Sequence, residues 1–559
     1  MMNRRDALGW IGVSGGAGAL APSALASATP AAAGPFTPNW QSFTSGYSAP
    51  EWFRDAKFGM WAHWSAQSVP EEGDWYAREM YIQGSRANKA HLRKFGHPSE
   101  VGFMEIVNKW NVDPWQPEKL MNMYARAGAK YFVALANHHD NIDTYASTHH
   151  PWNTTRVGPK RDIIGTWEKL ARAKGLRFGV SNHSAHAWHW FQPAYGYDAE
   201  GPMQGKRYDA WKLTEAGGRG KWWEGLDPQV LYTGRTMPMP AGVTTLPEMN
   251  AIHERTDRLW SEGVPANNVA FARNWALRCR ELIDVYRPDL IYFDNFDLPL
   301  QQYGLEIAAH YYNANMSWHG GKLEGVLNVK MVPPERRMGL VEDVERGGKS
   351  LIEIYPWQTC TCIGNWHYDR ELYERDGYKT APNIIHTLSD TVSKNGNLLL
   401  SVPMRGDGTI DDKVEAIVEE VAGWMGRYGT AIYGTRPWRI HGEGPTQAAS
   451  GMFAESRDTR YTAADIRYMR KGDDVHAIVL GWPEDNVARL KLWSLSNPIG
   501  RGAIQRVTLP GQNAPLTFRR TADALEVDLP PALRNRIGVA LVLSGRGITA
   551  GSLGDYNGV

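Results

Sequence analysis

The chain has 559 residues, too many for one compact core, so two or more domains are expected. Its 61 Lys and Arg against 60 Asp and Glu leave a net charge of +1, which excludes a field built to recruit nucleic acid or an anionic membrane. Three cysteines exclude a disulfide framework, while 24 Trp and 24 Tyr supply aromatic surface of the kind that stacks on the C–H faces of sugars.

Residues 1–33 read as a leader outside the fold. Asn3-Arg4-Arg5-Asp6-Ala7-Leu8 resembles a bacterial twin-arginine signal, followed by a Gly/Ala-rich apolar stretch and small residues suited to cleavage. The stretch is short and Gly-rich for a membrane anchor. The expectation is a periplasmic or secreted protein with no membrane partner once the leader is removed.

From residue 52 onward, strand-like and helix-like runs alternate. Strands are expected over 57–64, 129–139, 176–183, 290–295, 325–330, 351–354 and 397–403, and helices over 117–129, 162–174, 268–286, 305–315 and 382–393. This many βα units in about 400 residues predicts an α/β fold with a closed (β/α) barrel over 34–438. No Gly-x-Gly-x-x-Gly follows the first strand, which weakens a nucleotide-binding reading. Residues 187–265 interrupt the pattern as a long aromatic-rich insertion. After Tyr433-Gly434-Thr435-Arg436-Pro437-Trp438, short β-like runs (466–469, 475–480, 490–493, 505–509, 516–519, 524–529 and 539–543) predict a C-terminal antiparallel β-sandwich over 439–559. Cys360 and Cys362, two apart on a strand, read as packed thiols.

The chemistry collects where strands end. In Leu290-Ile291-Tyr292-Phe293-Asp294, alternation places Ile291 and Phe293 on one face and Tyr292 and Asp294 on the other, so Asp294 points inward at the strand's C-terminal end. His63, His138-His139-Asp140, Asn182-His183 and the carboxylates Glu342, Asp343 and Glu345 occupy similar places. Adjacent histidines diverge, and no His-x-His or His-Glu-x-x-His is present, so no metal and no cofactor are expected. The absence of a Gly-x-Ser-x-Gly elbow disfavours a serine nucleophile. A carboxylate pair in an aromatic-rich cleft remains, which is the equipment of glycoside hydrolysis.

The chain also resembles the family-29 α-L-fucosidases. The resemblance lies in Trp52-Phe53-Arg54-Asp55-Ala56-Lys57-Phe58-Gly59, His63-Trp64, Trp75-Tyr76-Ala77-Arg78-Glu79-Met80-Tyr81, Asn137-His138-His139-Asp140, the Asp294 strand, and Pro356-Trp357-Gln358-Thr359. It continues through Ser393-Lys394-Asn395-Gly396-Asn397 to Ala431-Ile432-Tyr433-Gly434-Thr435-Arg436-Pro437-Trp438. It implies an exo-acting, retaining, metal-independent enzyme that releases terminal α-L-fucosyl residues from oligosaccharides or polysaccharides. By position, Asp294 matches the nucleophile, and His63, His138 and His139 match imidazoles that bind sugar hydroxyls. Trp75 stands where a pocket aromatic is expected and Asp74 where relatives often have Glu. Asn182-His183 replaces an aromatic pair. Tyr292, Trp357 and Asn182 complete the expected sugar pocket, with Trp75, Tyr76 and Trp357 as candidates for an aromatic wall against the sugar's methyl group. Glu345 fits the acid/base best, followed by Glu342 and Glu353. The alternatives are a related exo-glycosidase acting on α-L-galactosides or sulfated polysaccharides, a catalytically silent carbohydrate-binding protein, and a barrel metallohydrolase.

Overall fold

The computed structural model describes residues 32–260, 263–448, 450–456 and 459–551; nearly all of the expected leader lies outside them. Eight parallel strands close a barrel in sequence order: β1 Phe58–Ala62, β2 Tyr131–Asn137, β3 Arg177–Asn182, β4 Leu290–Phe296, β5 Val326–Lys330, β6 Val341–Asp343, β7 Trp357–Cys362 and β8 Gly396–Ser401, with β8 returning to β1. Nearly every strand residue is buried, as expected where side chains fill the barrel on one face and meet helices on the other.

The covering helices carry legible boundary signals. In α1 (Pro117–Arg126) a proline opens the first turn, and Leu120, Met121, Met123 and Tyr124 form the buried stripe. Asp162 caps α2 (Ile163–Ala173) by accepting from Gly165 N–H. Within the insertion, α3 (Leu246–Asp257) is capped by Thr245. Asn268 caps α4 (Val269–Tyr286), which ends at Arg287 in the left-handed conformation with Pro288 behind it. Then come α5 (Gln302–Trp318), α6 (Ala381–Ser393), whose Thr380 and Asn383 form a reciprocal capping box, and α7 (Asp412–Tyr428). Among the described residues, no helix is long and apolar enough to cross a membrane.

Two expectations are corrected here. The segment 351–354 is not a strand: Leu351 and Ile354 are exposed, and the place in the sheet belongs to β6, whose three residues are too few to show a period. The run 490–493 splits into the end of a strand and a 3₁₀ turn.

The C-terminal domain is antiparallel throughout. Its strands are β9 Arg436–Glu443, β10 Ile466–Lys471, β11 Asp474–Val479, β12 Val487–Leu490, β13 Ala503–Thr508, β14 Phe518–Arg520, β15 Leu525–Asp528 and β16 Val539–Arg546. They form a five-stranded sheet in the order β13-β16-β11-β10-β9 and a three-stranded sheet in the order β12-β15-β14. Trp438 stacks on Trp493, and α6 packs beside β9 and β10, where Arg467 pairs with buried Asp390 at 2.7 Å.

The insertion is packed rather than loose. Trp190, Phe191, Tyr195 and Leu231 are fully buried. Buried Arg78 clamps it to the segment after β1, donating to the carbonyls of Trp190 and His253 (2.6 Å to the latter) and to Thr256 Oγ1 at 3.0 Å. Three of the guanidinium's five donors are used this way, which offsets part of the cost of holding the charge out of water.

Candidate active site

The C-terminal ends of β4 and β5 place Asp294 and Lys330 side by side. Lys330 Nζ donates to Asp294 Oδ1 and, at 2.5 Å, to Glu345 Oε2 on the loop after β6. All three groups are buried. Two oxygens bonded to one ammonium can be no more than about 5–6 Å apart. Retaining glycosidases separate their two carboxyl groups by about 5–5.5 Å. Trp366 Nε1 donates to the other oxygen of Glu345 at 3.0 Å.

The opposite side of Asp294 is lined with imidazoles. His183 Nδ1 lies 3.0 Å and His139 Nε2 3.3 Å from Asp294 Oδ2, and His186 Nε2 bonds the Asp294 carbonyl. Burial alone would raise the Asp294 carboxyl, but Lys330, His183 and His139 outweigh it and hold the group well below the usual carboxylate range. Burial likewise pulls at the Lys330 ammonium, yet Asp294 and Glu345 push it above its ordinary value. Burial drives the His139 ring down to about 4, against the pull of the Asp294 carboxylate.

His63, His138, Asp74, Trp75 and Tyr292 line the same cavity as Asp294 and Glu345. Asp74 Oδ1 accepts from His367 N–H at 2.8 Å. Trp75, held in the left-handed conformation at φ 64°, stacks on Trp260 from the insertion. Tyr292 OH donates to Asp343 Oδ2 at 3.3 Å, beneath the site. Burial pushes Asp343 up to about 7. Asp140 sits behind the histidines, accepting from Ser65 Oγ at 3.3 Å.

Other expected contacts are not brought together. Asn182 turns outward, where Oδ1 accepts from Trp275 Nε1 at 3.2 Å, and its neighbour His183 takes the inward position by alternation. Trp357 begins β7 and is at the opposite end of the barrel, donating Nε1 to Lys394 O at 2.9 Å; Trp366, beyond the end of that strand, is the aromatic that reaches the cavity. Tyr76 is fully buried with its hydroxyl on His91 Nδ1. Glu342 faces away from Asp343 and pairs with Lys349 at 2.7 Å, and Glu353 lies by Arg337 at 3.8 Å. Of the three acid/base candidates, only Glu345 enters the site. Cys360 and Cys362 are buried, with Cys360 Sγ on Asp343 Oδ2 at 3.0 Å and Cys362 Sγ on Gly364 O at 2.7 Å.

Lys330, Trp366 and His367 escape a reading by motif. Lys330 had a signal: it ends its strand, much as Asp294 stands two residues from the end of β4, with Asn328 on the same face. Trp366 and His367 lie on a loop whose path only the fold determines.

The loop that carries Glu345 is held from the second domain. Gly348 and Gly451 form an antiparallel bridge, Phe453 N–H donates to Glu345 O at 2.8 Å, and Glu455 N–H donates to Arg346 O at 2.8 Å. The Glu455 carboxylate returns to the barrel at Thr361 Oγ1 (2.9 Å) and Lys379 Nζ (3.1 Å). The approach is close: a Cβ on Gly347 would lie 1.8 Å from Gly451 O.

The cavity measures about 1520 Å³. From Asp294 it runs outward between the segment after β1 and the insertion, with Glu72, Glu79, Glu254 and Asp257 against Arg86 and Arg258 on its outer walls.

Comparison with known proteins agrees with the fold. The family described as Alpha-L-fucosidase matches residues 23–430, and its Alpha-L-fucosidase C-terminal domain matches 458–544. The tissue alpha-L-fucosidase of Rattus norvegicus is 25% identical over 501 residues, covering 88% of this chain and 87% of the relative. That of Homo sapiens is 26% identical over 475 residues, covering 82% and 80%. Thermotoga maritima alpha-fucosidase, solved in complex with fucose, matches with a TM-score of 0.63 at 23% identity over 91% of this chain and 100% of that one. A bacterial fucosidase solved with a monovalent iminocyclitol inhibitor matches at 0.57 and 17% over 90% and 99%. At these identities the solved structures speak for the fold alone: a closed parallel barrel followed by an antiparallel β-domain.

Proposed function

The chain belongs to the alpha-L-fucosidase family of glycoside hydrolases, and from that premise we propose that it is an exo-acting, retaining α-L-fucosidase working through a covalent glycosyl-Asp294 intermediate. The observation that carries the reading is the shared Lys330 ammonium, which keeps Asp294 and Glu345 within the spacing of a retaining pair. Asp294 is the member held ionised, on a rigid strand, and so suits attack on the anomeric carbon. Glu345, on the loop, is left to carry the proton to the departing oxygen and then to take one from water. His63 and His138 offer ring nitrogens to sugar hydroxyls, His139 is spent on Asp294 and the His183 carbonyl, and Trp75 and Trp366 supply apolar wall.

A cavity of this volume exceeds what one deoxyhexose fills, since pockets for drug-sized ligands run about 300–1,000 Å³. With more carboxylates than cations on the outer walls, it suits a neutral oligosaccharide aglycone and disfavours a sulfated one. The leader belongs to the same proposal, as a twin-arginine export signal. The deciding experiment is hydrolysis of p-nitrophenyl α-L-fucoside followed by proton NMR. First appearance of α-L-fucose supports retention; β-L-fucose as the first product rejects the two-step mechanism.

A further inference from the structure

Two apolar residues in an uncommon backbone conformation line the cavity beside the Lys330–Glu345 pair. Met331 follows Lys330 at the end of β5, stands at φ 47° and is 42% exposed. Phe453, from the second domain, is half-buried at φ 57°. Both share the cavity wall with Lys330, Glu345 and Trp366. Bulky side chains seldom enter the left-handed region, and they stay there only where the surroundings impose it.

For Phe453 the surroundings are the clamps between the domains. On one side Gly451 bridges Gly348, and on the other Glu455 N–H donates to Arg346 O at 2.8 Å. Between them, Phe453 N–H donates to Glu345 O at 2.8 Å. A backbone N–H supports that loop whatever side chain it carries, so the aromatic ring on the cavity wall calls for its own account. The chemistry supplies one. A departing oxygen must come within about 2.6–3.2 Å of the group that protonates it. With Glu345 as that group, the sugar carried on the oxygen meets the walls next to Glu345. A pyranose has C–H groups that pack well on an aromatic ring or a thioether.

We propose that Met331 and Phe453 form the binding surface for the first leaving sugar, a neutral pyranose presenting a C–H face, so that the second domain takes part in choosing the aglycone. The proposal rests on the retaining-fucosidase reading and on Glu345 as its acid. Contact energy gained there, remote from the anomeric carbon, is available to the transition state and is lost when the leaving group has no ring.

The test uses the full chain and two kinds of substrate that both leave as alkoxides: methyl α-L-fucoside, and the best cleaved among α-linked fucosyl disaccharides of each linkage. Both need the proton, and only the disaccharide carries a ring that reaches Phe453. The ratio of their kcat/KM values, disaccharide over methyl, cancels the active fraction of a preparation and a displaced Glu345 alike. Phe453→Gly suits the left-handed backbone and keeps the N–H on Glu345. It should lower the ratio about 10–100-fold, the usual worth of one apolar contact in a specificity pocket. Met331→Ala should lower it in the same direction, and Phe453→Tyr, which keeps the ring, should hold it near the wild-type value. An unchanged ratio in Phe453→Gly overturns the proposal even where both rates fall, because the residue then serves the loop alone. A wild type that prefers no disaccharide to the methyl fucoside overturns it as well. Hydrolysis of neither substrate by the wild type rejects the functional reading itself, whereas hydrolysis of both with an unmoved ratio rejects only the role of Met331 and Phe453.

Discussion

Lys330 Nζ approaches Glu345 Oε2 to 2.5 Å while its other bond goes to Asp294, so one buried cation balances both carboxylates of the site. Lys330→Met should therefore lower kcat/KM by about 10²–10³, the usual cost of removing one preorganised electrostatic partner. It should also move the acid limb of the kcat/KM profile upward, because Asp294 loses the cation that holds it down. Lys330→Arg keeps the charge and should keep the limb near its place. A pH profile of Lys330→Met that overlays the wild type contradicts this account.

Asp294→Gly removes the only group expected to bond the anomeric carbon. We expect kcat to fall by several orders of magnitude, with azide restoring turnover and leaving a fucosyl azide detectable by mass spectrometry. A loss smaller than tenfold, worth only about 1.4 kcal/mol, is too little for a covalent nucleophile.

Glu345→Gln should discriminate by leaving group. Natural sugars leave as alkoxides that need a proton and should suffer severely; a dinitrophenyl fucoside departs unaided and should suffer far less. Glu342→Gln, whose parent side chain is engaged by Lys349 and Arg337, is expected to lack that signature. Equal losses on both substrates for Glu345→Gln would falsify the assignment.

Stability should fall with acid between neutrality and pH 5. Burial holds His91 and His139 down to about 4 and His150, His253 and His367 to about 3, against an ordinary 6.5. Below pH 6.5 the unfolded chain binds protons that these rings refuse, so acid favours unfolding. Asp140 and Asp343, raised to about 7, and Asp209, raised to about 6, act in the opposite sense: folding favours their protonated forms, a contribution lost as pH rises through those values. His386, His441 and His476 are also held to about 4, and eight rings against three carboxyls leave the histidines dominant. The midpoint of urea unfolding should be lower at pH 5 than at pH 7, and the reverse order refutes the balance.

The barrel and Asp294 are legible because strand alternation makes burial a local property: an apolar run ending in a carboxylate already says which way the carboxylate points. His138 and His139 lie just past the end of β2, where alternation no longer applies, and are marked by the resemblance instead. Asn182 and Trp357 mislead because a motif gives position along the chain, whereas the site depends on which face and which end of a strand that position occupies. A one-residue step exchanges Asn182 for His183, and Trp357 opens its strand instead of closing it. β6 is too short to carry a period, and Lys330 is recognisable only once β4 and β5 are neighbours. Trp366 and His367 depend on a loop path that no local pattern encodes.

The pairing of Phe453 and Glu455 with the Glu345 loop has a consequence in time. The ribosome finishes every strand of the barrel before it reaches residue 451, so a nascent barrel can close around Asp294 and Lys330 while the neighbouring proton donor still lacks its outside support. If Glu345 is the proton donor, hydrolytic competence is expected only when the last domain emerges and docks. Conversely, heating that melted the β-domain first should silence the enzyme while its barrel is still intact.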